Sequence, residues 1–125
     1  MKIAIDIDGT INASKDSVEF FRTLTKSLIA QNEIYILSNR NPDTLEEVEE
    51  ELTLMGIKFS KVILTNKKTQ VIKDKGITVF YDNEDENFQS LGPDILVFKA
   101  REEGNYNYMS GRWYGSKETV EMIDK

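Results

Sequence analysis

The chain contains no cysteine and no histidine. The first absence removes disulfides, thiolate nucleophiles and thiolate metal ligands. The second removes histidine-activated nucleophiles, imidazole proton relays and the usual zinc sites. Any enzymatic chemistry must therefore use carboxylates, lysines and hydroxyls, and any metal should be a hard cation held by oxygen. Positive charge is also scarce: 16 Lys and Arg against 22 Asp and Glu leave a formal net charge of −6. That balance argues against bulk nucleic-acid binding, which draws its affinity from cations that displace phosphate counterions. No apolar run approaches the length of a membrane span, and the N-terminal run is broken by Asp6 and Asp8. Neither a signal peptide nor a membrane partner is expected, and the expected location is the cytoplasm. At 125 residues the chain has room for one core and one domain.

Apolar runs typical of buried strands alternate with segments of helical period. Residues 2–7 form an apolar run after Lys2, suited to a strand buried on both faces. A helix is predicted over about 16–31, from the capping-box spacing of Asp16 and Glu19 and the stripe Val18, Phe21, Leu24, Leu28. A strand follows at 33–38. Asn41-Pro42 then opens a helix whose apolar positions Leu45, Val48, Leu52 and Met55 run to Gly56. Its glutamates 46, 47, 49, 50 and 51 read as a solvated face and are given no function. Strands at 61–64, 77–81 and 95–99, with a short helix at 67–75, complete the alternation. The expected fold is α/β: a three-layer α/β/α sandwich on a mainly parallel, Rossmann-like sheet.

In such a sheet, function sits beyond the carboxyl ends of the strands. Those ends carry Asp6, Asp8, Gly9 and Thr10, then Ser38, Asn39 and Arg40, then Asp82, Asn83, Glu84, Asp85 and Glu86, with Lys67 and Lys68 opening the helix after the third strand. Side chains two apart on a strand share a face, so Asp6 and Asp8 are expected to converge. With Asp82 beside them they would repel unless a cation were present, and Mg2+ suits such oxygen donors and a substrate phosphate. Ser38 and a lysine supply a hydroxyl and a fixed charge for phosphoryl oxygens. An aspartate is the natural nucleophile, and a second acid must move the proton; Asp6 and Asp8 can divide those tasks.

The run Asp6-Ile7-Asp8-Gly9-Thr10, Ser38 in LSNR, a lysine in TNKKTQVI and the acidic YDNEDEN resemble, in order, the four motifs of the haloacid-dehalogenase-like phosphohydrolases. They span residues 6–87. The resemblance implies that Asp6 is nucleophile and magnesium ligand, and that Asp8 is general acid/base with its main-chain carbonyl on the metal. It further implies that Ser38 and a lysine bind the phosphoryl group and that Asp82 completes the metal site. Lys68 is preferred over Lys67, and Asp85 or Glu86 is the candidate outer metal contact. Gly9, Thr10, Asn39 and Arg40 are candidate phosphate neighbours.

Members of that family often insert a cap domain after the first motif or before the lysine, and neither gap here has room for one. An uncapped site suits a large or macromolecular phosphorylated substrate, unless a second copy of the chain covers it in a homo-oligomer. The segment at about 99–115 interleaves Lys99, Arg101 and Arg112 with Tyr106, Tyr108, Trp113 and Tyr114, and Ser110-Gly111 suggests a hairpin turn. Arg112 and Trp113 are its candidate substrate contacts, Ser116 a candidate cap for a last helix. Two other classes compete with a magnesium-dependent phosphatase: a receiver-like phosphoacceptor domain and a non-catalytic binding module. Receivers place adjacent acids on strand one and accept phosphate on a later strand, which the Asp-x-Asp spacing here does not match.

Overall fold

The computed structural model describes residues 1–101, 106–107 and 109–113, the side chains at 106, 107, 112 and 113 excepted. Five parallel strands form one sheet: β1 (Lys2–Ile5), β2 (Glu33–Ser38), β3 (Lys61–Leu64), β4 (Val79–Asp82) and β5 (Leu96–Lys99), in the order β3-β2-β1-β4-β5. The helices are α1 (Lys15–Leu28), α2 (Leu45–Leu54) and α3 (Lys68–Lys75). The expected α/β sandwich is observed, and no further domain is inserted between residues 6 and 87.

Strand alternation divides the core into two layers. Ile3, Ile5, Ile34, Ile36 and Val79 face Phe21 of α1 and Val48 and Leu52 of α2. Ala4, Tyr35, Leu37 and Phe80 face Ile72 of α3 and the partly buried Phe88, Leu91 and Ile95. Each strand of the sheet centre is thus apolar on both faces, as parallel strands covered by helices must be. At about 1.5–3 kcal/mol for each fully buried large side chain, these two layers are the main stabilising term of the fold.

Several boundaries depart from the sequence-based expectation. The first strand stops at Ile5 rather than residue 7: the Asp6 N–H still donates to the Tyr81 carbonyl at 2.9 Å, and the chain then turns tightly over Ile7–Ile11. Gly9 sits in that turn at φ 82°, a left-handed conformation open to glycine and costly for other residues. The first helix is capped by Ser14, not Asp16. The Ser17 N–H donates to Ser14 Oγ at 3.1 Å, and the Ser14 N–H donates to Ser17 Oγ at 2.7 Å. This reciprocal pair satisfies two helix-end donors and leaves Asp16 in the first turn, favourably placed at the positive end of the helix dipole. Asn41 does cap, but it caps a short 3-10 turn (Pro42–Thr44) that leads into α2; its Oδ1 accepts from the Asp43 N–H at 2.9 Å.

The strand predicted at 77–81 runs Val79–Asp82, and that at 95–99 runs Leu96–Lys99. A small antiparallel hairpin, β6 (Tyr106–Asn107) and β7 (Arg112–Trp113), has Ser110-Gly111 in its turn, as expected. The helix predicted after Ser116 lies outside the described residues. Among those described, no helix is long and apolar enough to cross a membrane.

Candidate active site

At the carboxyl ends of β1 and β4 lies a small polar cavity of about 110 Å³, lined by Asp6, Asp8, Asn39, Asn66, Lys68, Asn83, Glu84 and Asn87. Its floor is an ion network. Lys68 is only 6% exposed, and its Nζ donates to Asp6 Oδ1 at 2.7 Å and to Asp82 Oδ2 at 2.9 Å. Both carboxylates are buried, and their remaining oxygens are also occupied. Thr10 Oγ1 donates to Asp6 Oδ2 at 3.0 Å. The N–H groups of Asn83 and Glu84 donate to Asp82 Oδ1 at 2.7 and 2.9 Å, while Asn87 Nδ2 donates to Oδ2 at 3.1 Å.

Burial raises Asp6 to about 6, with Asp82 adding to the rise and Lys68 opposing it. Lys68 experiences the reverse balance: burial alone would lower it, but the charges of Asp6 and Asp82 outweigh that effect and hold the ammonium above its ordinary value. Burial, more than the balance of neighbouring charges, is what makes Asp6 hard to ionise.

Asp8 is arranged differently. It lines the same cavity as Asp6, but from the turn that follows β1 rather than from the strand. About half of its side chain is exposed, and Arg40 grips it through two parallel bonds, Nε to Oδ2 at 2.9 Å and Nη2 to Oδ1 at 2.8 Å. Asn12 Nδ2 donates to Oδ1 at 3.0 Å. The Arg40 bonds hold Asp8 below the usual carboxylate range. Arg40 in turn is anchored through Nη1 to Glu51 on α2, and its own pKa is raised by these two partners.

Other expected residues are distributed as follows. Ser38 is fully buried, and its Oγ accepts from the Arg40 N–H at 3.1 Å, so it shapes the loop after β2; Asn39, the next residue, lines the cavity. Helix phase sets the two lysines apart. Lys67 precedes α3 and is exposed, whereas Lys68 opens the helix and is buried against the acids. Gly9 donates its N–H to Asn12 Oδ1 at 2.9 Å, bracing the turn beneath Asp8. Asp85 is paired with Lys99 and does not line the cavity, and Glu86 is exposed and does not line it either; Glu84 is the acid that does. The roles expected of Arg112 and Trp113 depend on side chains outside the described residues.

Sequence reasoning passed over Asn66 and Asn87, and it named Asn83 at a strand end without giving it a role. Asn83 is buried, and one terminal atom of its amide lies 3.1 Å from Asp6 Oδ2, 3.2 Å from the Asp8 main-chain carbonyl and 3.3 Å from Asp82 Oδ1. Turned so that this atom is nitrogen, the amide donates to all three. Its adjacency to Asp82 was the available signal, but asparagine in an acidic run reads more readily as a turn former.

Among the described residues no three acidic side chains cluster as a metal-binding group. Of the expected ligands, Asp85 pairs with Lys99 and does not line the cavity, while Asp8, expected to use its main-chain carbonyl, turns its carboxylate to Arg40. What does converge is a set of oxygens from Asp6, the Asp8 main chain and Asp82 around the Asn83 amide. Hard oxygen donors of this kind fit Mg2+ in their chemistry.

Compared with models of known protein families, with curated proteins and with solved structures, the chain matches none of them.

Proposed function

We propose that the protein is a magnesium-dependent, haloacid-dehalogenase-like phosphatase that hydrolyses a phosphomonoester. The observation that carries this reading is the buried Lys68 ammonium held between Asp6 and Asp82 beside a polar cavity at the carboxyl ends of parallel strands. A buried cation next to a carboxylate of raised pKa is costly as architecture and well suited to bringing a nucleophile and an anionic substrate together.

In this reading an Asp6 oxygen attacks phosphorus, the bond from phosphorus to the leaving oxygen breaks, and Asp8 gives that oxygen its proton. Water then attacks the aspartyl-phosphate as Asp8 accepts a proton, and phosphate and the free Asp6 carboxylate are restored. Thr10 and Lys68 fix the carboxylate plane of Asp6. Lys68 also offers charge to the phosphoryl oxygens, the kind of preorganised stabilisation that dominates phosphoryl transfer. Asp6, the Asp8 main-chain carbonyl and Asp82 would hold Mg2+, which when bound would supply positive charge against the phosphoryl group. Arg40 favours ionised Asp8, the form that accepts the proton from water.

The test is a panel of phosphomonoesters, headed by p-nitrophenyl phosphate, assayed with Mg2+. Turnover is expected, and Asp6→Asn should abolish it by removing the attacking oxygen. Equal turnover by the Asn variant would refute the assignment. A non-catalytic phosphate-binding module is the second reading, favoured by the neutral Asn83 beside Asp82; it predicts phosphate binding with no turnover on any ester.

A further inference from the structure

The carboxylate cavity is the first of three hollows in a row. Asn39 and Asn66 form the wall it shares with a second hollow of about 280 Å³, and Pro42 and Leu64 belong to both the second and a third of about 390 Å³. The third runs along β3, which is an edge of the sheet. Its surface changes character along the way, from amides and Arg40 near the acids to an apolar shelf of Leu45, Leu64 and Val71, beside which Lys61 and Lys75 also line the groove. Lys61 is exposed, and neither of these lysines is in an ion pair among the described residues. On a chain of net charge −6, two free cations beside one apolar groove are a local exception.

We propose that this groove is the substrate-recognition surface of the site and that it seats an extended, acidic phosphopeptide; the inference rests on the phosphatase reading above. An edge strand presents main-chain donors and acceptors that an added strand can use, and flanking pockets then read its side chains. Lys61 stands three residues before Leu64, about 10 Å along the strand. A peptide with its phosphorylated residue at the carboxylates therefore places an apolar side chain on the shelf two to three residues away. An acidic side chain about three residues further along then meets the lysines. Nucleic acid fits the groove less well, because its lining among the described residues includes no aromatic ring on which a base could stack and the protein is acidic overall.

The probe is a phosphoserine peptide with leucine two residues and glutamate five and six residues away on both sides, compared with free phosphoserine and p-nitrophenyl phosphate. The full chain with Mg2+ should hydrolyse the peptide with kcat/KM at least about tenfold above phosphoserine. Lys61→Glu/Lys75→Glu replaces two attractions with two repulsions, each exposed pair being worth up to about fivefold. It should cut peptide kcat/KM about tenfold or more and leave p-nitrophenyl phosphate turnover within about twofold; Lys61→Arg/Lys75→Arg should keep the peptide advantage. Fluorescence anisotropy of the labelled peptide should show the same loss of binding. A peptide no better than phosphoserine, or equal losses on both substrates, would overturn the groove assignment while turnover of p-nitrophenyl phosphate still upheld the phosphatase. No turnover on any ester would remove the phosphatase reading and this inference with it.

Discussion

Replacing Lys68 by methionine removes the cation that, among the described residues, is hydrogen-bonded to both buried carboxylates of the floor, Asp6 and Asp82. Removing one partner of a buried ion pair costs about 3–5 kcal/mol, because the remaining charge is left uncompensated. That is a large share of the 5–15 kcal/mol typical of a domain. The loss should depend on pH in a defined direction. Asp6 is raised from 3.8 to about 6 even with the ammonium present, and the variant must raise it further. A carboxyl that binds its proton more tightly when folded stabilises the fold at low pH and loses that contribution as pH rises through its folded pKa. Parent and variant both carry protonated Asp6 below about 6, whereas above it only the variant retains the conflict. Urea unfolding in EDTA should therefore show a deficit of about 3–5 kcal/mol at pH 8 that narrows by at least about 1 kcal/mol at pH 5.5. Lys68→Met/Asp6→Asn should recover part of it at pH 8. A deficit below about 1 kcal/mol, or one independent of pH, would refute the claim that this cation holds two buried acids together.

Two further outcomes follow from the same geometry. Arg40→Met should return Asp8 from its depressed pKa toward 3.8, seen as an upward shift of its carboxyl titration by NMR, with a stability change within about 1 kcal/mol because Asp8 is half exposed; an unmoved titration would show that the clasp does not control Asp8. Gly56→Ala should destabilise by about 1–2 kcal/mol in a thermal melt, since Gly56 holds φ 78° and an added Cβ would lie 3.0 Å from Arg22 Nε, which donates to the Met55 carbonyl.

The order of strands and helices was readable because buried strands and amphipathic helices carry different periods. Ile3, Ala4 and Ile5 are apolar without alternation, and Val48 and Leu52 recur at helical spacing. Boundaries were less readable where two residues were equally able to act. Ser14 and Asp16 can both cap a helix, and only the hydroxyl pair with Ser17 decides between them. Much of the site was legible for a related reason: Asp6, Asp8, Lys68 and Asp82 stand at element ends, where parallel sheets expose side chains to a common cleft. The Arg40 clasp was not. Its partners are 32 residues back and 11 residues forward, and no local spacing encodes either distance. Glu51 consequently read as one glutamate among several on a solvated face, although it anchors the arginine that grips Asp8.

The junction between β3 and α3 spans only Thr65, Asn66 and Lys67, and it decides which of two adjacent lysines is buried. A helix advances about 100° per residue, so inserting or deleting one residue there would rotate Lys68 off the acids. Substitutions at Lys67 leave the phase intact, but changes of length do not. Among sequences descended from a common ancestor with this one, residue identity in that connection should drift more freely than its length.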